Sequence, residues 1–457
     1  MTESALAMLG AVRSALGTPE DTIPVELTDG CSLPSVFAVS DLAQASVAAA
    51  GVSLASLMAL DGRRRPPRVA VDRELASAWF RSSLRPLGWE LPPAWDAVAG
   101  DYATSDGWIR LHTNAAHHRA AAMAVLGVPE DRTRVAAAVR SWRADDLEAQ
   151  VVVAGGAAAT MRPVGEWRRH PQGRAVAGEP LLRVERTSTT DRPRSFGRDD
   201  RPLDGLRVLD LTRILAGPVA TRLLAGWGAE VLRIDPPDWD EPAVAPEVTL
   251  GKRCARLDLR TPAGRNHFLE LLRTADVFVH GYRSDALEGL GLGDHTRDEV
   301  CPGLVDVSLD AYGWTGPWAG RRGFDSLIQM STGIAEAGRV AAGVEQPVSL
   351  PAPALDHATG YLLAAAAITG VSLRQNDGVG SRWRASLART AELLIGAGAR
   401  GADAGGRPSP PALAGPVERT SWGDARRLEP PLRVTGAPLQ WSLPARALGS
   451  DEACWQE

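Results

Sequence analysis

A chain of 457 residues is long enough for two or three domains, each with its own core. Its net charge of −5 and pI near 6.0 give no global basic field to attract nucleic acid. Four scattered cysteines, Cys31, Cys254, Cys301 and Cys454, without a CxxC, fit reduced thiols in a cytoplasmic protein. No basic leader marks a signal peptide, and the apolar stretch 361–371 is too short to span a bilayer, so no membrane is expected. Lys252 is the only lysine. In a chain so rich in alanine and glycine, the arginine excess reads as coding bias.

In chain order, residues 1–16 predict a helix with Leu6, Leu9, Val12 and Leu16 on one face. Residues 18–34 read as loop. Ser40-Asp41 predicts the N-cap of a helix that runs through Val52 to Leu60 and stops at Asp61-Gly62. A basic link at 63–67 precedes a predicted helix over 72–84. Ser105-Asp106-Gly107 predicts a turn into a strand over 108–111, followed by helices over 115–126 and 130–142. Residues 161–172 read as irregular. The polar segment 188–201, with Pro193, predicts the main boundary.

Residues 206–212 then form a short apolar run with the character of a buried strand. Gly217-Pro218 breaks it, and Pro218 suits the first turn of a helix. Ala220, Leu223, Leu224 and Trp227 give that helix one apolar face, Gly228 stops it, and 230–235 is the next strand. Such a βαβ unit predicts a parallel sheet with its ligand beyond the strand C-termini. The turn lacks the GxGxxG of dinucleotide sites. Further on, Asp356 opens a helix whose residues 362–368 are apolar. On the residues alone it is an N-cap. An Ala-rich helix opened by an aspartate occurs twice, at Asp41 and Asp356. Each is followed by Asp-Gly, at Asp61 and Asp377, then by arginine and a further predicted helix.

The literal residues 202–237, PLDGLRVLDLTRILAGPVATRLLAGWGAEVLRIDPP, closely resemble the opening of the family III CoA-transferases, the CaiB/BaiF family. The likeness continues through Gly251-Lys252-Arg253 and the segment 257–264. It runs on through 275–279, 287–293 and 313–317 to Gly323-Phe324-Asp325 and Ser331-Thr332-Gly333, in order and at family spacing. The resemblance implies an α/β fold, with a Rossmann-like parallel-sheet domain and a smaller α+β domain. Residues 106–109 and 162–173 resemble the family's small domain and return segment, which in the family follow the catalytic region and here precede it. With the repeat, this leads us to expect a permuted, truncated tandem. Residues 1–190 would be the back half of one copy, including a small domain at about 102–172. A linker at 191–201 would join it to a CoA-binding and catalytic domain at 202–395. A Gly/Pro/Ala-rich linker at 396–416 and a closing segment at 417–457 complete the chain.

The resemblance implies CoA transfer between an acyl-CoA and a small carboxylic acid, with Asp356 as nucleophile and CoA as part of the substrate rather than a resident cofactor. Ile214, Leu215 and Ala216 match the loop on which the family lays CoA. Leu257 and Arg260 match positions lining the nucleotide, Tyr282 an aromatic near adenine, and Arg322 a basic position near the phosphates. Pro236, Gly281 and Gly289 depart from common CoA-contacting residues, and the family's glycine-rich flap is missing around 95–106. Family members are dimers of interlocked rings, so a homodimer is a possibility. No metal is expected: His117 and His118 are adjacent and do not face one ligand. His357 reads as a surface histidine, and Asp41 as a structural N-cap rather than a second nucleophile. Two alternatives stand beside the transferase. One is a non-catalytic CoA-binding subunit or pseudoenzyme. The other is a 2-methylacyl-CoA racemase, disfavoured because Phe324 stands where the family's racemases carry a histidine base.

Overall fold

The computed structural model describes residues 2–18, 22–60, 65–190, 196–198, 200–398, 413 and 415–456. Asp61-Gly62 of the repeat, and most of the two expected linkers, lie outside the described residues. The N-terminal part comprises α1 (Glu3–Leu16), β1 (Val25–Leu27), α2 (Val39–Met58), β2 (Val69–Val71), α3 (Arg73–Trp79) and β3 (Leu84–Pro86). The next part holds β4 (Gly100–Ala103), β5 (Trp108–Leu111), α4 (Ala116–Leu126), α5 (Arg132–Val139), α6 (Ala144–Val153), β6 (Ala158–Thr160), α7 (Val164–Arg169), α8 (Pro171–Gly178) and β7 (Arg183–Thr189). Then come β8 (Arg207–Leu211), α9 (Ala216–Gly226), β9 (Glu230–Asp235), α10 (Ala245–Val248), β10 (Lys252–Arg256), α11 (Pro262–Leu272) and β11 (Val277–His280). They are followed by α12 (Ser284–Gly289), α13 (Asp294–Val300), β12 (Val305–Asp310), α14 (Asp325–Ser331), α15 (Ile334–Ala342), α16 (Ala354–Asp377), β13 (Val379–Ser386) and α17 (Leu387–Gly396). Three short strands close the chain: β14 (Glu418–Thr420), β15 (Gly423–Arg427) and β16 (Leu432–Val434).

The fold is α/β around a seven-stranded sheet of order β10-β9-β8-β11-β12-β13-β7. The first six strands run parallel, and β7 pairs antiparallel with β13 at the edge. Alternate residues feed two cores, as buried parallel strands require. Val208, Val231, Val279 and Val307 face α9 and α16, whereas Leu209, Leu232 and Phe278 face α11. Strand β7 carries no sequence expectation except at Ser188 and Thr189, which begin the segment that reads as polar link. Its side chains are mostly exposed, so an edge position needs no apolar face and leaves no alternation to detect.

A second sheet, β1-β2-β16, repeats one end of the first. There β2 pairs parallel with β1 and antiparallel with β16, as β13 pairs parallel with β12 and antiparallel with β7. Each central strand follows a long alanine-rich helix, α2 or α16. Each leads into a helix capped by its first polar side chain: Asp72 accepts from Leu75 N at 2.9 Å, and Ser386 from Arg389 N at 3.2 Å. The two antiparallel partners also match in sequence, Glu179-Pro180-Leu181-Leu182-Arg183-Val184 against Glu429-Pro430-Pro431-Leu432-Arg433-Val434.

Helices α2 and α16 pack on each other, with Ser53 Oγ 3.1 Å from Thr369 Oγ1 across the contact. By length and composition α2 could cross a membrane, but it is almost wholly buried inside this fold. It begins at Val39, after Ala38, which supplies no side-chain cap. Asp41 therefore lies in the first turn and is not the N-cap expected. Its carboxylate is fully buried, 2.5 Å from Arg73 Nη1, and accepts a further bond from Thr2 Oγ1 at 2.8 Å.

The β4-β5-β6 sheet packs on α4 to α6 around Tyr102, Ile109, Leu111 and Leu147. It meets the large sheet's domain along a dry seam, where Ala157 and Ala159 lie against Leu327, Met330 and Ala335. Arg162 N donates to Met330 O at 3.0 Å beside it. The closing segment is tied in by Glu247, which accepts from Ser83 Oγ at 2.6 Å. Burial would raise this carboxyl, but Arg222 and Arg427 hold it down to about 2.

Removing one partner of the Asp41–Arg73 pair leaves the other charge buried alone, so Arg73→Ala is expected to cost about 3–5 kcal/mol in chemical denaturation. The double variant Asp41→Leu/Arg73→Met should recover most of that loss. A single-variant loss below about 1 kcal/mol would contradict the buried pair.

Candidate functional site

The strand order reverses between β8 and β11, and the loops after their C-terminal ends diverge there, which is where open α/β sheets bind ligands. The loop after β8 carries Arg213, Ile214 and Leu215 into α9. Ile214 has φ 65°, the one positive φ outside glycine among the described residues. For a β-branched side chain this conformation is strained, at a cost of about 1–3 kcal/mol. It is held by a bond from Ile214 N to Glu241 Oε2 at 2.9 Å, and Glu241 is itself fixed by Arg233 and by Trp239 Nε1 at 3.1 Å. Leu215 and Ala216 are buried and start α9.

Arg213, which the sequence reading passed over, fills the reversal point. It donates to Tyr282 Oη at 2.7 Å and lies over the rings of Trp239 and Tyr282, 4.6 and 5.2 Å from their centroids. Its place between Thr212 and Ile214 was the available signal. Leu257 follows β10 at the same edge, with its N–H bonded to Asp235 O at 3.0 Å. Arg260 is exposed and ion-paired to Asp258 at 2.8 Å and Asp238 at 3.5 Å, so its charge is already partnered. Arg322 is half-buried and has no ion pair among the described residues. The charge of neighbouring Arg283 lowers its proton affinity after burial does. It borders a cavity of about 760 Å³ that runs toward α6 and past Arg283, beside rather than over Asp356.

Asp356 is the third residue of α16, which begins at Ala354, so it is not the N-cap read from sequence. The cap comes from a distant segment. Asp325, the buried aspartate of Gly323-Phe324-Asp325, accepts from Leu355 N at 2.8 Å and from Asp356 N at 3.0 Å with one oxygen, and from Gln329 Nε2 with the other. This satisfies helix-end amides that have no acceptor within α16. It also leaves the Asp356 carboxyl without a hydrogen bond or ion pair among the described residues. Burial, then the charge of Asp325, pushes Asp356 well above the usual carboxylate range. Asp325 is pushed up as well, but its three donors favour its ionised form, so the proton resides on Asp356. Burial and this second carboxylate together outweigh the pull of the helix N-terminus toward the ionised form.

Gly360 joins the Asp356 end of α16 to the loop. A Cβ there would stand 2.4 Å from Ala216 O and 2.8 Å from Val219 Cβ, so α16 can lie directly against the start of α9. Asp356 is one turn upstream on α16. His357 is not a surface group: it is buried and stacked on Phe80 at 5.1 Å, and burial lowers it to about 3.

Residues 203–415 match the model of CoA-transferase family III. That stretch is similar to CoA-transferase family III. It is 32% identical to an acyl-CoA transferase of Gibberella moniliformis over 63% of this chain and 54% of the relative. It is 33% identical to the human succinyl-CoA:glutarate CoA-transferase over 42% of this chain and 46% of the relative. The chain spans about half the length of the curated relatives it matches. A crystal structure of a CaiB/BaiF family protein from Brucella suis aligns with 25% identity and a TM-score of 0.38, over 49% of this chain and 65% of the other.

Two outcomes follow from this geometry. Protonated Asp356 in the folded state means that wild-type stability falls as pH rises from near 3.8 through its raised value. Asp356→Asn should therefore match wild type in melting temperature below about pH 4 and exceed it at pH 7. Equal melting temperatures at pH 7 would contradict the assignment. Gly360→Ala should separate α16 from α9 and lower the melting temperature, and CoA affinity, measured by calorimetry, should fall at least about threefold. An overpacked helix contact costs about 1–3 kcal/mol.

Proposed function

We propose that this protein transfers CoA between an acyl-CoA and a small carboxylic acid through a covalent intermediate on Asp356. The observation that carries the reading is a carboxyl with no protein partner, one helical turn from the contact with the strained Ile214–Ala216 loop. A structural aspartate in this fold is paired, as Asp41 is; an unpaired one in a raised protonation state is where chemistry concentrates.

The steps follow from that arrangement. Asp356, which is partly exposed, gives its proton to water; no protein donor then blunts its oxygens, and the carboxylate attacks the thioester carbonyl. The acyl–sulfur bond breaks to give an acyl-aspartyl anhydride and CoA thiolate. The thiolate returns to the aspartyl carbonyl, which makes an aspartyl-CoA thioester and releases the first acid as carboxylate. The acceptor carboxylate then attacks the aspartyl thioester, and CoA thiolate attacks the new anhydride to leave as acyl-CoA, which regenerates Asp356. Ala216 and Gly217, in the first turn of α9, have no acceptor within their helix and can donate to the tetrahedral oxyanion. Asp325 fixes the backbone at Asp356 throughout, so the nucleophile does not have to be positioned at each step.

We further read the chain as two partial family copies in permuted order. The matching strand partners β7 and β16, and the matching helix pairs α2/α3 and α16/α17, support this.

Asp356→Asn should remove transfer by at least about a thousandfold while the protein stays folded. Mass spectrometry after incubation with an acyl-CoA should find an adduct on the peptide holding Asp356 in wild type and none in the variant. Undiminished turnover in Asp356→Asn would sink the mechanism. Purified protein that binds CoA but moves it to none of a panel of acids would favour a non-catalytic CoA-binding subunit.

A further inference from the structure

At the far edge of the large sheet, β7 and β13 carry a pair of like charges. Arg183 and Arg384 stand directly opposite each other in that antiparallel pair. Two positions along the same face, Glu185 and Arg382 are opposite in charge and meet at 3.6 Å. Like charges at facing positions destabilise a sheet, because the two side chains leave it close together on one face. The neighbourhood does not neutralise them. Arg384 reaches Asp294 at 2.8 Å, but Asp294 is shared with Arg297 at 2.7 Å and Arg382 at 3.4 Å. Arg183 has no side-chain hydrogen bond or ion pair among the described residues.

The matching strand β16 shows what Arg183 lacks. There Arg433 faces Ala70, and Glu429 of the same short motif lies 3.6 Å from its guanidinium. In the copy of that motif at β7 the glutamate is engaged elsewhere. Glu179 Oε1 accepts from Trp314 N at 2.9 Å, from Thr315 N at 2.8 Å and from Thr315 Oγ1 at 2.7 Å. The loop after β12 thus takes the carboxylate that, in β16, partners the arginine.

Both arginines line a cavity of about 440 Å³ between α8, β7, the end of β13 and the loop after β12. Arg174 of α8 lines it too, and its one side-chain bond among the described residues runs from Nη1 to Arg169 O. Glu179 is the one carboxylate among the described residues on the wall, and Trp314, Pro180 and Ala385 supply apolar surface. Three guanidiniums against one engaged carboxylate suit a doubly charged anion, and guanidinium forks bind the oxygens of a phosphate in pairs. The volume lies in the range of small-molecule pockets and exceeds that of a bare phosphate. We infer that Arg174, Arg183 and Arg384 form a binding site for a phosphate monoester of a small organic molecule, with the dianionic phosphate between the guanidiniums and the organic part against Trp314 and Pro180. In the sheet order β13 and β7 lie two and three strands beyond β11, roughly 10–14 Å from the reversal point, so the site does not depend on the reaction proposed at Asp356.

The probe is phenyl phosphate, titrated calorimetrically into the full chain at about pH 8, where it is a dianion. Phenyl sulfate has the same shape and a single charge, and should bind at least about tenfold more weakly. Inorganic phosphate, which has no ring to lie against Trp314, should also bind at least about tenfold more weakly. Arg174→Gln and Arg183→Gln should each weaken phenyl phosphate by at least about tenfold. Both side chains are exposed, so these variants keep the fold. Arg183→Gln also removes the like-charge pair, so its melting temperature without ligand should equal or exceed that of wild type. A lower melting temperature would mean that Arg183 supports the sheet, and would overturn the inference. No measurable binding, equal affinity for the sulfate or for inorganic phosphate, or unchanged affinity in Arg183→Gln would overturn it too. Coenzyme A should leave phenyl phosphate in place; displacement would put the phosphate at the reversal point of the sheet and refute the separate site.

Discussion

The burial of α16 governs the arrangement. Almost every residue from Ala354 to Val371 is buried, because α9 covers one side, α2 another, and β12 and β13 a third. Only small side chains permit three neighbours at once. The run Ala364–Ala367 keeps the helix thin, and Gly370 lies so close to the sheet that a Cβ would stand 2.5 Å from Val305 Cγ1. A helix buried on this scale cannot leave its terminal amides to water, so its N-terminus must be capped by protein. Asp325 does this from 31 positions away in sequence. The cap that satisfies the helix is also the charge that raises Asp356. A single carboxylate caps the helix and sets the charge beside Asp356.

The strained loop at Ile214 follows from the same packing. With α16 pressed onto the start of α9 at Gly360, the chain leaving β8 has little room to turn, and Ile214 is forced to positive φ. Strain of this kind persists only where surrounding bonds over-determine it. Here Glu241, Arg233 and Trp239 supply them. The site is therefore built on rigid elements rather than on a mobile flap, which agrees with the lack of a glycine-rich segment around residues 95–106.

Much of this was legible in the residues. The strand–turn–helix at 206–235 and the long helix after Asp356 depend on local apolar periodicity, and both lie where it placed them. What escaped depends on contacts distant in sequence. The cap of α16 comes from Asp325, the edge strand β7 has no apolar face, and Arg213 gains its aromatic partners only when Trp239 and Tyr282 come together. The kinship of β7 and β16 was written in the text as EPLLRV and EPPLRV, but it carries meaning only once both strands are seen flanking equivalent helices. Arg260 is the converse case: the resemblance places it beside the nucleotide, and the fold adds local ion pairs with Asp258 and Asp238 that the resemblance does not reveal.

The contrast between Asp41 and Asp356 shows how one fold treats two aspartates at matching places in two ways. Both aspartates lie in the first turn of a long alanine-rich helix, and each helix is followed by a strand and a capped helix. The residue just inside that last helix decides between them. It is Arg73 in α3 and Leu387 in α17. Arg73 reaches Asp41 at 2.5 Å, and its guanidinium also donates to Gln44 at 2.7 Å and Ser32 at 2.8 Å, so the carboxylate is locked as a charged pair. Leu387 offers no charge, and the nearest ionisable partner of Asp356 is another carboxylate, which acts in the opposite direction. An ion-paired carboxylate is a poor nucleophile because its electrons are already engaged. One without a partner sheds its charge by taking up a proton, and its oxygens stay free of ion pairs.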